Sequence, residues 1–167
     1  MDVAEVLTEA FDRLPDLVRE AVDGLTPEQL TWRPAPGANS VGWLVWHLTR
    51  VQDHHVADLL DAEQIWVSGD WAGRFGLTAD PTNTGYGHSP AEVATVRPES
   101  AQALVDYYDA VAARTRGLLG EVTPKDLDRV VDDRWDPPVT LGVRLISVVN
   151  DDDQHVGQAA YVRGLLR

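Results

Sequence analysis

The chain has 167 residues, of which 27 are acidic, 14 are basic and none is cysteine. A net charge of -13 disfavours nucleic acid and anionic lipid as partners, because both are themselves negatively charged. Without cysteine, disulfide scaffolds and thiolate metal sites are excluded, so any metal must be bound by histidine and carboxylate. The length predicts one domain over 1–167, and we expect a cytoplasmic protein with neither an export signal nor a membrane span.

Apolar residues recur every three or four positions in four long segments, which predicts an all-α fold built as a four-helix bundle. The predicted helices span 3–22, 41–63, 98–120 and 140–167. Pro15 is expected to kink the first helix. In the third, Pro98 suits the first helical position and Gly120 suits the residue just beyond the end.

Two short segments, 25–30 and 122–127, have similar sequences, and each lies between two predicted long helices. Both contain a threonine followed by a proline, a pair typical of an N-cap and the first helical position. The chain therefore resembles two helical hairpins related by a pseudo-repeat. The alternative is that two common capping sequences coincide.

The connection between the second and third predicted helices, 64–97, is rich in Gly, Trp, Thr and Asn. A connection of roughly 35 residues inside a compact domain is usually functional. Its aromatic residues are costly to expose, so we expect it to fold over one end of the bundle as a lid: Trp66, Trp71, Phe75, Tyr86 and His88. The capping box at 89–92 predicts a short helix within it.

The last predicted helix carries polar residues on its apolar side. At about 100° per residue, His155 projects with that side, and Asp151 lies within about 40° of it. An unpaired buried carboxylate costs several kcal/mol, so Asp151 needs a hydrogen-bonded partner, a cation or a metal ion. Asp152 is expected at the border of the apolar stripe, and Asp153 in solvent.

On the second predicted helix, His47 lies beside apolar positions and faces the interior or its margin. Together His47, Asp151 and His155 predict a metal site on facing helices, with positions left open for water or substrate. His54 and His55 lie roughly 10–12 Å further along the axis and cannot bind the same ion. We expect His54 to line the cavity and His55 to pack in the core or at a dimer surface. Each histidine taken alone is more typical of an ordinary core or surface residue.

The segments 43–50 and 151–161, together with 84–89 and 134–138, resemble the DinB-like superfamily, in particular an actinobacterial branch linked to mycothiol-dependent enzymes. The resemblance implies a four-helix bundle, often dimeric, whose divalent metal is bound by a histidine of the second helix and an H-x-x-x-H motif of the last. Here His47 and His155 match, whereas Asp151 replaces the first histidine of the motif. The implied metal is zinc or nickel, with manganese or iron as alternatives.

The function implied by the resemblance is a metal-dependent transferase in which a low-molecular-weight thiol, similar to mycothiol, attacks a small electrophile. Gln158 is a candidate for orienting a ligand, and Arg50, Arg163 and the aromatic residues of the connection are candidates for gripping a carboxylate of the thiol. Both arginines suit the exposed surface equally well. A homodimer is expected, and a nucleic-acid or membrane partner is not.

Three alternatives stay open at this point. The same pocket suits a noncatalytic, stress-related protein that binds a metal or small ligand, or a metal-dependent hydrolase. In the third alternative, Asp151 and His155 only pair with each other in a vestigial core.

Overall fold

Four long helical segments form the body of the computed structural model, which describes residues 1–166, and they confirm the predicted all-α fold. The first of the four is divided into two helices, and the others are continuous. The α-helices span α1 Val3–Asp12, α2 Leu14–Val22, α3 Pro27–Thr31, α4 Val41–Leu59, α5 Ile65–Ser68, α6 Pro90–Val93, α7 Ala101–Glu121 and α8 Leu141–Gly164. Helix α2 packs against α7 and α8, and α4 packs against the same two helices. In this part of the chain, no helix is both long and apolar enough to cross a membrane.

Helix boundaries in the first half follow local capping chemistry. The kink predicted at Pro15 is confirmed, because α1 ends at Asp12 and α2 begins one residue after the break. Proline has no N–H with which to continue the hydrogen-bond ladder into the preceding turn. Helix α4 begins after Ser40, whose hydroxyl accepts the N–H of Trp43 at 3.1 Å. It ends before the predicted residue 63, because Asp61 adopts a left-handed conformation with φ 49°.

The predicted ends of the third long helix were wrong at the residue level. Ser100 caps α7 by accepting the N–H of Ala103 at 3.1 Å, so Pro98 lies outside the helix. Gly120 lies in the last turn instead of beyond it, and Val122 forms the C-cap. The hydroxyl of an N-cap residue accepts a hydrogen bond from an N–H at the start of the helix, and the side chain of Pro98 has no atom that can do so.

The two copies of the predicted pseudo-repeat occupy similar positions in the fold. The end of α3 approaches α4 so closely that a Cβ on Gly42 would lie 2.8 Å from the carbonyl oxygen of Leu30. In the second half, a Cβ on Gly142 would lie 3.3 Å from the carbonyl oxygen of Leu127. Each short segment therefore packs on the second residue of the following long helix, which places α4 and α8 in equivalent positions.

A small hairpin absent from the prediction precedes α8. Strand β1 Val130–Asp132 pairs antiparallel with β2 Val139–Thr140, with an irregularity within β1. Asp132 accepts a hydrogen bond at 2.8 Å from Arg134 within the hairpin and one at 2.9 Å from Arg144 of α8, and the second fastens the hairpin to α8. These bonds, led by the one from Arg134, lower the pKa of the Asp132 carboxyl. So short a ladder depends on side-chain contacts that no period-two pattern reveals.

The long connection between α4 and α7 is a packed segment. Besides α5, the confirmed capping-box helix α6 and a 3-10 turn at Ala72–Phe75, it contributes Trp66 and Phe75 to the core, where both are 0% exposed. The expectation that its aromatic residues are all covered is wrong for Tyr86, which is 92% exposed. The connection contacts α4 and α7 through aromatic rings, including Trp66 with Tyr107 at 5.3 Å between centroids.

Candidate metal centre

His47 is fixed on α4 by two contacts that leave one ring nitrogen available. Its ring is 5% exposed and stacks on Trp43, with centroids 4.6 Å apart and planes 14° apart. Its Nδ1 contacts the carbonyl oxygen of Thr84, which can only accept, so Nδ1 carries the hydrogen and Nε2 the lone pair. Burial lowers the pKa of His47 and keeps the ring neutral, the form that binds metal ions.

Thr84 and Gly85 were missed as functional residues, although both lie in a segment that carried the resemblance. Gly85 has φ 88°, and a Cβ there would lie 2.8 Å from Nδ1 of His47 and 2.9 Å from the ring of Trp46. Only glycine allows the connection to approach this closely. A Gly-Tyr-Gly sequence flanked by polar residues is the one available signal, and it does not reveal which helix the turn contacts.

Asp151 and His155 lie one turn apart on α8 and face α4. The distance from Nε2 of His155 to Oδ1 of Asp151 is 3.5 Å, while Nδ1 of His155 contacts Oε1 of Gln158 at 3.1 Å. Hydrogen bonding to Asp151 raises the pKa of His155, and partial burial opposes the shift. A metal ion bound by this ring would therefore displace a proton.

The three predicted ligands lie together at the contact between α4 and α8. The ring centroids of His47 and His155 are 4.7 Å apart, and one ligand atom from each histidine and from Asp151 lie within 4.8 Å of one another. Oδ2 of Asp151 is buried and has no hydrogen-bond partner in the described chain. An unpaired carboxylate oxygen beside two imidazole nitrogens suits a divalent cation, so this group could hold a metal ion.

Among the three consecutive aspartates, the structure reverses the predicted depths of the first two. Asp152, expected at the border of the stripe, is 0% exposed, and neither of its oxygens has a partner in the described chain. The side chain of Asp151 is 34% exposed, and Asp153 is exposed as predicted. The reason is that α8 packs against both α4 and α2, so its buried face is centred between the site and α2. Burial raises the pKa of Asp152 strongly.

A cavity of about 600 Å³ opens beside His47 and Asp151. It is lined by α4, α8 and the connection, at His47, Val51, His54, His55, Gln64, Pro81, Thr82, Thr84, Tyr86, Ser147, Val148 and Asp151. His54 lines it as expected, and His55 does so too, where a core or dimer-surface position was predicted. Burial lowers the pKa of both rings, that of His55 to about 4.

The two candidate arginines do not line this cavity. Arg50 is 0% exposed, and its guanidinium donates to the carbonyl oxygens of Asn83 at 3.1 Å and Pro81 at 3.2 Å. It also forms an ion pair with Asp53 at 3.4 Å. Arg163 lies at the C-terminal end of α8, where its guanidinium donates to the carbonyl oxygen of Ala21. The predicted surface role is thus wrong for Arg50, whose charge is used inside the protein to hold the connection.

Comparison with known proteins supports the same fold. The sequence model of one family, described as the DinB superfamily, matches residues 10–159. The crystal structure of a conserved protein of a locus from Enterococcus faecalis is 34% identical, with a TM-score of 0.89, and the alignment covers 98% of this chain and 96% of that chain. A DinB-like protein from Bacillus cereus is 21% identical, with a TM-score of 0.62 over 95% of this chain and 89% of that chain, and shows likeness of fold alone. Among curated proteins, none matches the chain.

Proposed function

Since the chain belongs to the DinB superfamily, we propose that it is a divalent-metal-dependent transferase that joins a low-molecular-weight thiol, similar to mycothiol, to a small electrophile. The observation that carries the proposal is the meeting of His47, Asp151 and His155, of which His47 and Asp151 line an open cavity. A structural metal site is closed by its protein ligands, whereas three ligands beside open space leave room for a reactant.

In this proposal Nε2 of His47, a carboxylate oxygen of Asp151 and Nε2 of His155 hold zinc or nickel, with manganese or iron as alternatives. A bound divalent cation lowers the pKa of a thiol or a water molecule that reaches it. The carbonyl of Thr84 and the amide oxygen of Gln158 hold the two imidazole rings by their Nδ1 atoms, so each ring keeps Nε2 toward the site.

The chain supplies no sulfur nucleophile of its own, because its sequence contains no cysteine. The cavity beside Asp151 is large enough for a small cosubstrate, and its exposed side faces solvent. In the proposed reaction the thiol loses its proton to solvent, its sulfur forms a bond to the electrophilic carbon, and the leaving group departs with the bonding electrons. The residues of the cavity bind both reactants and bring sulfur and carbon together.

The test begins with the metal content of protein purified from cells grown with zinc and nickel salts. We expect about one ion per chain, and loss of that ion in His47→Ala, Asp151→Ala and His155→Ala. Metal-loaded protein is then assayed with mycothiol or bacillithiol analogues and small electrophiles, where turnover abolished by His47→Ala supports the transferase.

Each alternative corresponds to another outcome of the same assays. Cleavage of esters, amides or lactones without any thiol reaction contradicts the transferase and indicates a hydrolase. Stoichiometric metal without turnover indicates a noncatalytic binding protein. If the protein is metal-free, and Asp151→Ala and His155→Ala alter neither metal content nor stability, the metal site is contradicted. The remaining alternative is then that Asp151 and His155 only pair with each other.

A further inference from the structure

The wall of the cavity beside the candidate metal site is almost free of charge. Of its lining residues within 1–166, Asp151 is the one carboxylate, and neither Lys nor Arg is among them. His54 and His55 of the wall are uncharged at neutral pH, because burial lowers the pKa of both rings. A ligand in this cavity therefore meets hydroxyl, amide, imidazole and apolar groups, and no positively charged side chain of the wall.

The nearby arginines do not supply the missing positive charge. Arg50, on α4, is completely buried and is ion-paired with Asp53. Arg144, on α8, donates to Asp132 at 2.9 Å, and its side chain is 15% exposed. Arg50 is paired with Asp53 and Arg144 with Asp132, and neither guanidinium lines the cavity.

A chain of hydrogen bonds determines which ring nitrogen of His54 carries the hydrogen. Nη2 of Arg50 donates to Oε1 of Gln64 at 2.8 Å, which sets the orientation of the amide. The amide nitrogen of Gln64 then lies 3.1 Å from Nδ1 of His54 and donates to it. In a neutral imidazole the hydrogen must be on the other nitrogen, so His54 carries it on Nε2. Within residues 1–166, no side chain or carbonyl accepts from that atom.

We propose that the end of this cavity beside His54 binds an uncharged polar portion of the substrate, with Nε2–H of His54 donating to a hydroxyl, carbonyl or amide oxygen, and that this end rejects carboxylates. The proposal rests on the proposed function, because it describes the cosubstrate of the same site. It also replaces the expectation that arginines grip a carboxylate of the thiol.

The preference follows from the cost of removing a charge from water. His54 lies about two turns of α4 beyond His47, so the end of the cavity beside it is separate from the metal ligands. A carboxylate that enters this end loses solvation and gains neutral donors only, while the excess of acidic residues repels it. A hydroxyl or an amide loses much less solvation and can form the same hydrogen bond with His54. We therefore expect at least a tenfold difference in Kd between ligands that differ by one carboxylate.

The first experiment uses two thiols, N-acetylcysteinylglycine and its C-terminal amide, which differ in a charge remote from sulfur. Each is titrated into zinc-loaded protein by calorimetry, and we expect the amide to bind at least tenfold more tightly. Tyr86 is highly exposed at the cavity, so Tyr86→Lys can add a positive charge without disturbing the core. It should reduce the ratio of the two Kd values several-fold, whereas the neutral control Tyr86→Gln should not.

The second experiment tests the donor. His54→Phe removes Nε2–H and should weaken binding of the amide about tenfold at unchanged zinc content, and His54→Gln, which keeps an N–H donor, should recover part of the loss. Equal binding of both thiols to zinc-loaded protein, binding of neither, or an unchanged Kd in His54→Phe overturns the inference. Protein that retains zinc in these outcomes leaves the metal site intact, whereas protein without zinc contradicts the proposed function as well.

Discussion

His47 is held by a backbone carbonyl on one side and by an aromatic ring on the other, so its position depends on how closely the connection approaches α4. Gly85 makes that approach possible, and the sequence offers a nearby glycine for comparison. Gly87 also has a positive φ, of 74°, but a Cβ there would have no neighbour within 4 Å. Substitutions at the two glycines therefore distinguish the cost of an unfavourable backbone conformation, which both share, from the cost of a displaced contact with His47, which only Gly85 has.

We predict that Gly85→Ala lowers metal affinity at least tenfold and destabilises the fold by about 3 kcal/mol, because the methyl group displaces the turn from His47. Gly87→Ala should cost only the conformational strain, about 1 kcal/mol, with metal affinity unchanged. Competition with a chelator and urea unfolding measure the two quantities. Equal effects of the two substitutions on metal affinity would contradict the assigned role of Gly85.

Asp152 is a carboxylate in a costly position, since it is 0% exposed and both of its oxygens lack partners in the described chain. We predict that Asp152→Asn raises the free energy of unfolding at pH 7 by about 2 kcal/mol, because the amide needs no ionisation or proton uptake. Asp153→Asn, at an exposed position, should change it by less than about 0.5 kcal/mol. Urea unfolding at pH 7 decides, and a loss of stability in Asp152→Asn would indicate a bound partner for the carboxylate.

Protonation of His55 makes the free energy of unfolding depend on pH. Its pKa is lowered by burial to about 4 in the folded protein, against about 6.5 in the unfolded chain. Between these values the unfolded chain binds the extra proton, so the stabilising effect of keeping His55 neutral is complete above pH 6.5 and is lost as pH falls toward 4. We predict that His55→Gln flattens the fall in unfolding free energy by about 2 kcal/mol over this range. The measurement is the free energy of unfolding as a function of pH for both proteins. An equal fall in the two proteins would refute the prediction.

At the scale of elements, the position of the connection depends on Arg50. From α4, it holds the carbonyls of Pro81 and Asn83, and the next residue supplies the carbonyl that contacts His47. A planar guanidinium reaches several acceptors at once, which an ammonium group cannot do. Arg50 is therefore a positioning residue, because its contacts are with carbonyls and side chains of the protein.

We predict that Arg50→Lys destabilises the protein by about 3 kcal/mol and weakens metal binding through Thr84. Amide hydrogen exchange should increase over 81–85 relative to the rest of the chain. Arg33→Lys is the control, because Arg33 holds another carbonyl of the connection, that of Pro90, from a less buried position. Unchanged exchange over 81–85 in Arg50→Lys would show that the turn is held by other contacts.

The sequence predicts the elements well where periodicity decides them, and less well where packing does. The long helices and the Pro15 kink follow from local patterns, as do α6 and the N-cap at Thr26. The N-cap predicted at Thr123 is wrong, because a 3-10 turn begins there only at Asp126, after Lys125. The angle of about 100° per residue correctly predicts that His47, Asp151 and His155 lie on the facing sides of two helices. It misplaces Asp152 because the buried face of a helix depends on which neighbours it contacts. The roles of Arg50, Gln64 and Thr84 arise from contacts between distant segments, which no local pattern encodes.

At the scale of the whole molecule, the site joins α4 to α8, the two helices in equivalent positions of the pseudo-repeat. The homodimer expected from the resemblance stays a prediction, which light scattering coupled to size-exclusion chromatography tests. Because the chain has an excess of 13 negative charges, a divalent cation at this contact also reduces the self-repulsion of the fold. Metal binding should therefore be visible in global stability as well as at the site.

We predict that free zinc at about 100 times its Kd stabilises the protein by about 2.7 kcal/mol, since the unfolded chain does not assemble the three ligands. For a domain of this size the corresponding rise in Tm is about 5–10 °C, measurable by scanning calorimetry. His155→Ala should abolish the rise, whereas His54→Ala, at the cavity but outside the ligand set, should retain it. Magnesium at the same concentration is the ionic control, because two imidazole ligands disfavour it. An equal rise with magnesium would mean that screening of the acidic surface, and not the site between α4 and α8, stabilises the fold.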